Sequence, residues 1–315
     1  MRWVVTGSGG QLGQCLVEAI QSDAREVLAA AFSRDQLDIS DAQAVSSLFE
    51  RVPGGVDVLI NAAAFTAVDR CESESDRAFA VNGVGPGLLA EACAKSGTAL
   101  VHVSTDYVFD GTASAPCTEL TPVAPQGEYG RSKAEGERRV LSRLPESIVV
   151  RTSWVFGPGR NFVVAILDQA ARRRRGELAG PLRVVDDQRG TPTYAADLAR
   201  GVIELARLSF QGSRAGGQRA TDAAPPLRGL VHLTNSGETT WWEFARTILR
   251  ETGHADLRVD PISTAELGLP APRPAYSVLD CARAAGVGVS LRSWREALVD
   301  YLRTPAIRRT WEIAS

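Results

Sequence analysis

The sequence lacks CxxC pairs, clustered histidines and long apolar runs. Its five cysteines are scattered and odd in number, which is typical of reduced thiols packed in an interior, and its three histidines show no metal-ligand spacing. No apolar run approaches the roughly 20 residues that span a bilayer, and the formal net charge is −2. These absences exclude a disulfide scaffold and a membrane-spanning protein. They also disfavour a metal enzyme and any global attraction to nucleic acid or a membrane surface.

The composition is otherwise that of a folded globular chain. With 315 residues, 44% of them apolar, the chain suits one large or two moderate domains. Met1 and Arg2 lead directly into a strand pattern in place of a cleavable signal, so we expect a cytoplasmic protein. The four arginines at 172–175 end a predicted helix, where cations stay solvated near the negative end of the helix dipole.

A glycine-rich turn follows the first predicted strand. The β-branched run from Arg2 to Thr6 stops at GSGGQLG, residues 7–13, after which a helical pattern begins. Glycines at 7, 10 and 13 permit a tight turn, close approach of a pyrophosphate and close packing of the helix, whose N-terminal amides favour an anion. The turn therefore predicts a dinucleotide-binding site.

The residue after the second strand bears on the choice of cofactor. An acid at the end of the strand Glu26 to Phe32 would bind the ribose 2′-hydroxyl group and repel a 2′-phosphate. Ser33 and Arg34 stand there instead, which favours NADPH. Arg34 is equally compatible with a solvent-exposed turn, so use of both NADPH and NADH stays open.

Two further segments are candidates for the cofactor site. Asp38 precedes Ser40, a predicted helix N-cap for a helix to about Arg51, and could lie beside the adenine. The strand from Val56 to Ile60 ends in Asn-Ala-Ala-Ala, residues 61–64. Such small side chains either let a flat cofactor lie close to the backbone or allow tight helix-sheet packing, and the pattern alone does not separate the two.

Tyr129 and Lys133 form a candidate acid/base pair. Four residues apart on a predicted helix, they share one face, and a lysine ammonium near a phenol favours the phenolate. The same spacing is common on exposed helix faces. The strand before this helix ends in Ser104-Thr105-Asp106, which places a hydroxyl and a carboxylate at the carboxyl edge of a parallel sheet, where ligands bind.

Alternating strands and helices indicate an α/β fold with a doubly wound parallel sheet. The pattern predicts a dinucleotide-binding domain over 1–152 with a return segment at about 190–208. A smaller, discontinuous substrate-binding lobe takes 153–189 and 229–315. Residues 209–228, which are rich in Gly, Ala, Arg and Pro, are predicted to form a mobile surface insertion. Within the lobe, the aromatics that follow Thr240 are predicted to be core.

Taken together, the motifs resemble the extended short-chain dehydrogenase/reductase superfamily and, within it, the dTDP-4-dehydrorhamnose reductase family. The resemblance runs nearly end to end, and the alanine and STDYVFDG motifs separate it from nucleotide-sugar epimerases and dehydratases. The motifs are GxxGQLG at 7–13, LDISD at 37–41, NAAAFTAVDRCESE at 61–74, STDYVFDG at 104–111, YGRSK at 129–133, RTSWVFG at 151–157, DDQRGTPT at 186–193 and RPAYSVLD at 273–280.

The resemblance implies a role for each matched residue. Tyr129 would protonate a substrate keto oxygen, Lys133 would bind the nicotinamide ribose and lower the tyrosine pKa, and Thr105 would hydrogen-bond the reacting oxygen. Asp106 would contact the sugar and Trp154 would pack against it. The remaining implied contacts are Asn161, Gln188 and Thr191 with the nucleotide diphosphate, and Gly7, Gly10, Gln11, Leu12, Gly13, Arg34, Asp38, Ile39, Ala62, Ala63 and Ala64 with the dinucleotide.

The implied activity is the reduction by NADPH or NADH of a dTDP-4-keto-6-deoxy-L-hexose, first of all dTDP-4-dehydro-L-rhamnose to dTDP-L-rhamnose. Alternatives are a reductase for a deoxysugar of secondary metabolism, a non-catalytic dinucleotide-binding regulatory subunit, and an epimerase or dehydratase. Some members dimerise around a magnesium ion held by carboxylates, but Gln14 and Cys15 stand where one carboxylate is found. We therefore expect a monomer or homodimer without a bridging metal. Tyr276 replaces an asparagine common in the last motif.

Overall fold

The computed structural model describes residues 1–210 and 227–312. The strands are β1 (Arg2–Thr6), β2 (Val27–Phe32), β3 (Val58–Asn61), β4 (Ala99–Thr105), β5 (Ile148–Thr152), β6 (Val155–Phe156), β7 (Leu182–Val185), β8 (Arg189–Gly190), β9 (Thr193–Tyr194), β10 (Gly229–His232), β11 (Thr239–Thr240) and β12 (Val259–Ile262). The helices are α1 (Gln11–Gln21), α2 (Ala42–Ser46), α3 (Val68–Ser73), α4 (Ser75–Ala78), α5 (Gly85–Ser96), α6 (Glu128–Arg143), α7 (Phe162–Arg174), α8 (Ala195–Phe210), α9 (Trp241–Glu251), α10 (Thr264–Leu267), α11 (Ala282–Ala285), α12 (Trp294–Arg303) and α13 (Pro305–Glu312).

Six parallel strands form the main sheet, in the order β10-β5-β4-β3-β1-β2. From β1 the chain runs outward to β2 on one side and then returns to build β3, β4, β5 and β10 on the other. The predicted doubly wound sheet is confirmed. The direction changes between β1 and β3, and in such sheets ligands bind at the carboxyl end of this switch point.

Helices cover both faces of the sheet. On one face α1 and α8 pack apolar residues such as Leu16, Ile20 and Val202 against the strands. On the other, α2, α5 and α6 contribute residues such as Leu89 and Val140. With both faces covered, β3 and β5 are buried along their whole length, as their nearly continuous apolar sequences predict.

A second core lies between α7, α9 and α12. Phe156, Phe244 and Trp294 are at most 1% exposed and pack together with apolar residues of the three helices. This cluster occupies the region predicted as the substrate-binding lobe. One boundary was wrong, because residues 229–232 form β10, which pairs with β5 in the main sheet. Residues 209 and 210 belong to α8, and Leu227 is buried in the core beside the sheet, so both ends of the predicted insertion are part of the fold. Residues 211–226 lie outside the described residues, and the remaining domain division stays a proposal.

Several local predictions are corrected or refined. Asp41, not Ser40, caps α2, because its carboxylate accepts from the Gln43 and Ala44 backbone amides. The helix ends at Ser46, with a separate 3-10 turn following at Phe49–Arg51. The glycines and the proline at 83–87 predict a kink or a junction between two helices within 72–95, and the structure has a π-helix, Phe79–Val84, between α4 and α5. Helix α13 was not predicted. No helix in the described ranges is long and apolar enough to cross a membrane.

Candidate active site

The glycine turn has the shape that the sequence predicts. Gly7 has φ +74°, and a Cβ atom there would lie 2.5 Å from the Ala63 backbone nitrogen. A Cβ atom on Gly13 would lie 2.1 Å from the Gly7 carbonyl oxygen. Neither position has room for a larger residue. Gly10 then begins α1 without a side-chain cap, which leaves the first amides of the helix directed towards an incoming anion.

A cavity of about 440 Å³ opens beside this turn. Eight predicted cofactor residues line it, and Leu12 and Gly13 form the first turn of α1 behind it. Gln11 faces away, because its amide donates to the Arg160 carbonyl at 3.3 Å. The predicted residues on the wall are Gly7, Gly10, Arg34, Asp38, Ile39, Ala62, Ala63 and Ala64, and the structure adds Gly9, Ser33, Asp35, Leu37, Phe65, Arg77 and Val81.

Two cations flank the cavity, of which the sequence predicts one. Arg34 and Arg77 both line it, and both charges lower the pKa of Asp38 after the larger effect of hydrogen bonds from Ser40. The Arg77 guanidinium lies 4.6 Å from the centre of the Phe65 ring and forms a 2.8 Å ion pair with Glu74. Arg77 comes from α4, far from any nucleotide motif, so the sequence pattern contains nothing to single it out.

Two buried asparagines hold the alanine segment in place. Asn61 accepts hydrogen bonds from the Thr6 hydroxyl at 2.7 Å and from the Ala63 amide at 3.1 Å. Asn82, in the π-helix, accepts from the Phe65 amide and donates to the Ser132 hydroxyl on α6. The cofactor cavity and the helix that carries Tyr129 are therefore connected through one buried side chain. An isolated asparagine before a helix break was the only sequence hint of this role.

Tyr129 and Thr105 meet at the carboxyl end of β4. The Tyr129 ring packs edge-on against Tyr107, two residues after Thr105, at 5.5 Å, and the Thr105 hydroxyl is close enough to lower the Tyr129 pKa. Burial raises the pKa of Tyr129, and the Thr105 hydroxyl opposes this only in part. The resemblance implies that Lys133 lowers the Tyr129 pKa, whereas burial here gives a net rise of that pKa. Tyr129 is therefore protonated at neutral pH.

Lys133 lies one helical turn further along α6 and is 2% exposed. Its ammonium donates to the Val103 carbonyl oxygen at 2.6 Å and lies 3.5 Å from His102 Nε2. Burial lowers the Lys133 pKa to about 8, while Glu137 opposes the shift. His102 is held neutral, because burial and then the Lys133 charge lower its pKa, and its other nitrogen pairs with Asn61. Lys133 thus remains largely charged at neutral pH.

Two tryptophans stack at the border of the lobe. Trp154 and Trp241 are parallel, with ring centres 3.6 Å apart and planes inclined by 7°. Trp154 has φ +46°, the left-handed region that bulky residues seldom adopt. Of the aromatics predicted as core, Phe244 is fully buried, but Trp241 is only partly buried and joins the predicted sugar contact. Trp154 follows β5, whereas Trp241 begins α9, with eight helices and strands between them in the chain, so no local pattern could pair them.

The predicted diphosphate contacts are engaged within the protein. Asn161 caps α7 and donates to the Gly157 carbonyl at 2.6 Å and to the Tyr301 hydroxyl at 2.8 Å. Gln188 joins Thr264 to Trp241 through hydrogen bonds of 2.9 and 3.1 Å. Thr191 is buried, and its carbonyl accepts from Ser153. Gln188 is thereby connected to the tryptophan stack, whereas ligand contact by these three residues stays a prediction.

A larger cavity, about 980 Å³, lies elsewhere, between α1, α8 and the C-terminal helices. Its walls include Arg207 and Arg292, which are neutralised by ion pairs with Asp23, Glu26, Asp197 and other carboxylates. Because its charges are satisfied internally, size alone does not make it the reactive site. Across residues 1–210 and 227–312, no three His, Cys, Asp or Glu side chains are grouped so as to hold a metal ion.

A parallel sheet with a glycine turn at its switch point, and Thr105 at the end of β4 beside Tyr129 and Lys133 of α6, define an extended short-chain dehydrogenase/reductase. The family described as RmlD substrate binding domain matches residues 1–306. The chain belongs to this family, the dTDP-4-dehydrorhamnose reductases.

Relatives match over nearly the whole chain. The dTDP-4-dehydrorhamnose reductase of Mycobacterium tuberculosis is 42% identical over 312 residues, covering 97% of this chain and 93% of that protein. A Streptomyces antibioticus protein named as a probable dTDP-4,6-dihydroxy-2-methyloxan-3-one 4-ketoreductase is 40% identical, covering 95% and 93%. The crystal structure of dTDP-4-dehydrorhamnose reductase from Bacillus anthracis in complex with NADP is 32% identical with a TM-score of 0.82, covering 96% and 98%.

Proposed function

We propose that this protein uses NADPH, and also NADH, to reduce the 4-keto group of a dTDP-4-keto-6-deoxy-L-hexose, with dTDP-4-dehydro-L-rhamnose as substrate and dTDP-L-rhamnose as product. The observation that carries the proposal is that Tyr129 and the buried Lys133 of α6 both contact the end of β4 that carries Thr105, Tyr129 through Tyr107 and Lys133 through Val103. The name of the Mycobacterium tuberculosis relative supports the sugar. The name of the Streptomyces antibioticus relative favours a second candidate, a related dTDP-linked deoxysugar.

The pKa shifts suit reduction in particular. Burial keeps Tyr129 protonated, so its hydroxyl is ready to donate a proton to the keto oxygen as negative charge develops there. Thr105 is placed to hydrogen-bond the same oxygen and orient the carbonyl. The Lys133 ammonium, already directed to the end of β4 by Val103, would hold the nicotinamide ribose hydroxyls.

The cofactor fits the residues beside the glycine turn. Side chains are excluded at Gly7 and Gly13, which leaves backbone amides free to approach a pyrophosphate. Ala62 to Ala64 and Asp38 line the cavity, where Asp38 would lie beside the adenosine. When bound, the dinucleotide supplies the hydride. We expect a monomer or homodimer without a bridging metal, since Gln14 and Cys15 offer no carboxylate after the turn.

The direct test is to mix purified protein with NADPH and dTDP-4-dehydro-L-rhamnose. We expect loss of nicotinamide absorbance that depends on the sugar, with one NADPH consumed per product. Consumption only with another dTDP-4-keto-deoxysugar would shift the function to the second candidate. Turnover without net cofactor consumption would indicate an epimerase or dehydratase. Inactivity on every keto-sugar, together with a stable protein complex in pull-down, would favour a regulatory subunit.

Arg77→Ala is expected to weaken NADPH binding by about tenfold or more while leaving NADH binding nearly unchanged. The reason is that Arg34 and Arg77 flank the cavity where a 2′-phosphate would lie, and a charge-assisted hydrogen bond contributes about 1.5–3 kcal/mol. Dissociation constants from nicotinamide fluorescence titration provide the measurement.

Arg70→Ala is the matched control for that measurement. Arg70 pairs with the same Glu74 and lies over the same Phe65 ring, at 5.6 Å, but is not among the residues that line the cavity. We expect its dissociation constants to stay at the wild-type values. Equal weakening of NADPH and NADH by Arg77→Ala would contradict a specific contact with the 2′-phosphate.

A further inference from the structure

The Thr105 hydroxyl group has one proton and more than one acceptor within reach. It donates to Asp106 Oδ1 at 3.0 Å and accepts from the Tyr107 amide at 3.3 Å, and it lies close enough to Tyr129 to lower the pKa of that residue. A hydroxyl group has one donor and two lone pairs. While Asp106 holds the Thr105 proton, Tyr129 can only donate to Thr105. Thr105 then has no proton to offer a keto oxygen.

Asp106 is placed so that its carboxyl group can gain or lose a proton close to neutral pH. It is 1% exposed, and its Oδ2 has no hydrogen-bond partner among the described residues; the same holds for the hydroxyl of the neighbouring Ser277. Burial raises the pKa of Asp106 to about 6, against smaller opposing effects of the Thr105 hydroxyl and of the Ser277 hydroxyl, which is close to the carboxyl but forms no hydrogen bond with it. The other titratable or charged groups in this environment are Tyr107, Tyr129 and Cys117, together with Asp69 and Arg273, which act on Tyr107.

We propose that Asp106 is a positioning residue that sets the direction of the hydrogen bond at Thr105, so that the keto group is reduced fastest when the Asp106 carboxyl is protonated. This rests on the proposed reductase function. A protonated Asp106 donates to a lone pair of Thr105, and the Thr105 proton then turns to the keto oxygen. An ionised Asp106 retains that proton, and the developing oxyanion loses one of its two donors.

The reaction balances without any proton from Asp106. The keto carbon gains the hydride as its new C–H bond. The O–H bond of Tyr129 breaks as the O–H bond of the alcohol forms, and Tyr129 regains its proton from solvent. Thr105 and Asp106 change only the direction of their hydrogen bond. Loss of one oxyanion donor typically lowers kcat by about 10²-fold to 10³-fold.

The test is the pH dependence of kcat from about pH 5 to about pH 9. Wild-type kcat should fall about tenfold per pH unit above the Asp106 pKa. In Asp106→Asn the amide donates to Thr105 at every pH, so this falling limb should disappear. Ser277→Ala removes a hydroxyl that lowers the Asp106 pKa, so the limb should move to higher pH. The separate titration of Lys133, whose pKa is about 8, should remain in all three proteins.

A second measurement follows the protonation state of Asp106 in the absence of substrate. The infrared C=O stretch of a protonated carboxylic acid should titrate near pH 6 in the wild type and be missing in Asp106→Asn. A raised KM with an unchanged pH profile in Asp106→Asn would mean that Asp106 only contacts the sugar, and would overturn the proposal. A carboxyl ionised throughout would also overturn it, even in an active enzyme. Absence of turnover at every pH despite an intact band would contradict the reductase function itself, and this inference with it.

Discussion

Tyr129→Phe is expected to lower kcat on the keto-sugar by about 10³-fold or more while leaving the dissociation constant for NADPH within about twofold of wild type. Only the hydroxyl close to Thr105 is removed, and the ring keeps its edge contact with Tyr107. The developing oxyanion then has no proton donor of its own. Steady-state kinetics and nicotinamide fluorescence titration separate the two effects.

Tyr107→Phe is the control for this variant. The same atom is removed from the adjoining ring, which lies 5.5 Å from Tyr129. Since Tyr107 contacts Thr105 through its backbone amide, we expect kcat within a few-fold of wild type. Comparable kcat in Tyr129→Phe and wild type would remove the tyrosine from the acid role.

Glu137→Gln is expected to lower the free energy of unfolding by about 3–5 kcal/mol, because it leaves the Arg151 charge buried without its partner. The two side chains are 6% and 1% exposed and are joined by hydrogen bonds of 2.9 and 2.6 Å, with Ser104 donating a third at 2.5 Å. Urea unfolding followed by circular dichroism measures the loss. Since Glu137 also raises the pKa of Lys133, the same variant should move the Lys133 titration to lower pH.

Two variants test the physical reason for this loss. Glu91→Gln breaks an exposed pair with Lys95 in α5 and should change the free energy of unfolding by at most about 0.5 kcal/mol. Replacement of both buried partners, Glu137→Leu with Arg151→Met, should recover much of the loss, since no unpaired charge remains. If Glu137→Gln were as stable as Glu91→Gln, the buried pair would not stabilise the contact between α6 and β5.

The proposed catalytic residues could be placed from the sequence because each lies at a point fixed by its own local element. A glycine turn after a first strand, a hydroxyl at a strand end, and a tyrosine and lysine four apart on a helix need only sequence neighbours to be placed. The N-cap of α2 is also set by local sequence, but two neighbouring residues, Ser40 and Asp41, can both serve as the cap. Asp38 accepts from both the amide and the hydroxyl of Ser40, so Ser40 is engaged in that turn and Asp41 caps the helix.

The unpredicted parts depend on contacts between distant segments. Arg77 reaches the cofactor cavity only because α4 folds back over the end of β3, and Trp241 meets Trp154 only because α9 packs beside β6. The assignment of β10 failed for the same reason. Its four residues have no local feature that distinguishes pairing with β5 from a strand in the lobe, since partners in a parallel sheet come from remote sequence.

The π-helix at Phe79–Val84 changes the direction in which the side chains of α5 point relative to those of α4. A turn of this kind contains one more residue than an α-helical turn, and each residue advances a helix by about 100°. Without the extra residue, one continuous helix could not both direct Arg77 of α4 to the cofactor cavity and bury Leu89 and Cys93 of α5 beneath the sheet. The inserted residue thus rotates the faces of α4 and α5 relative to one another, so that α4 faces the ligand cavity and α5 faces the core.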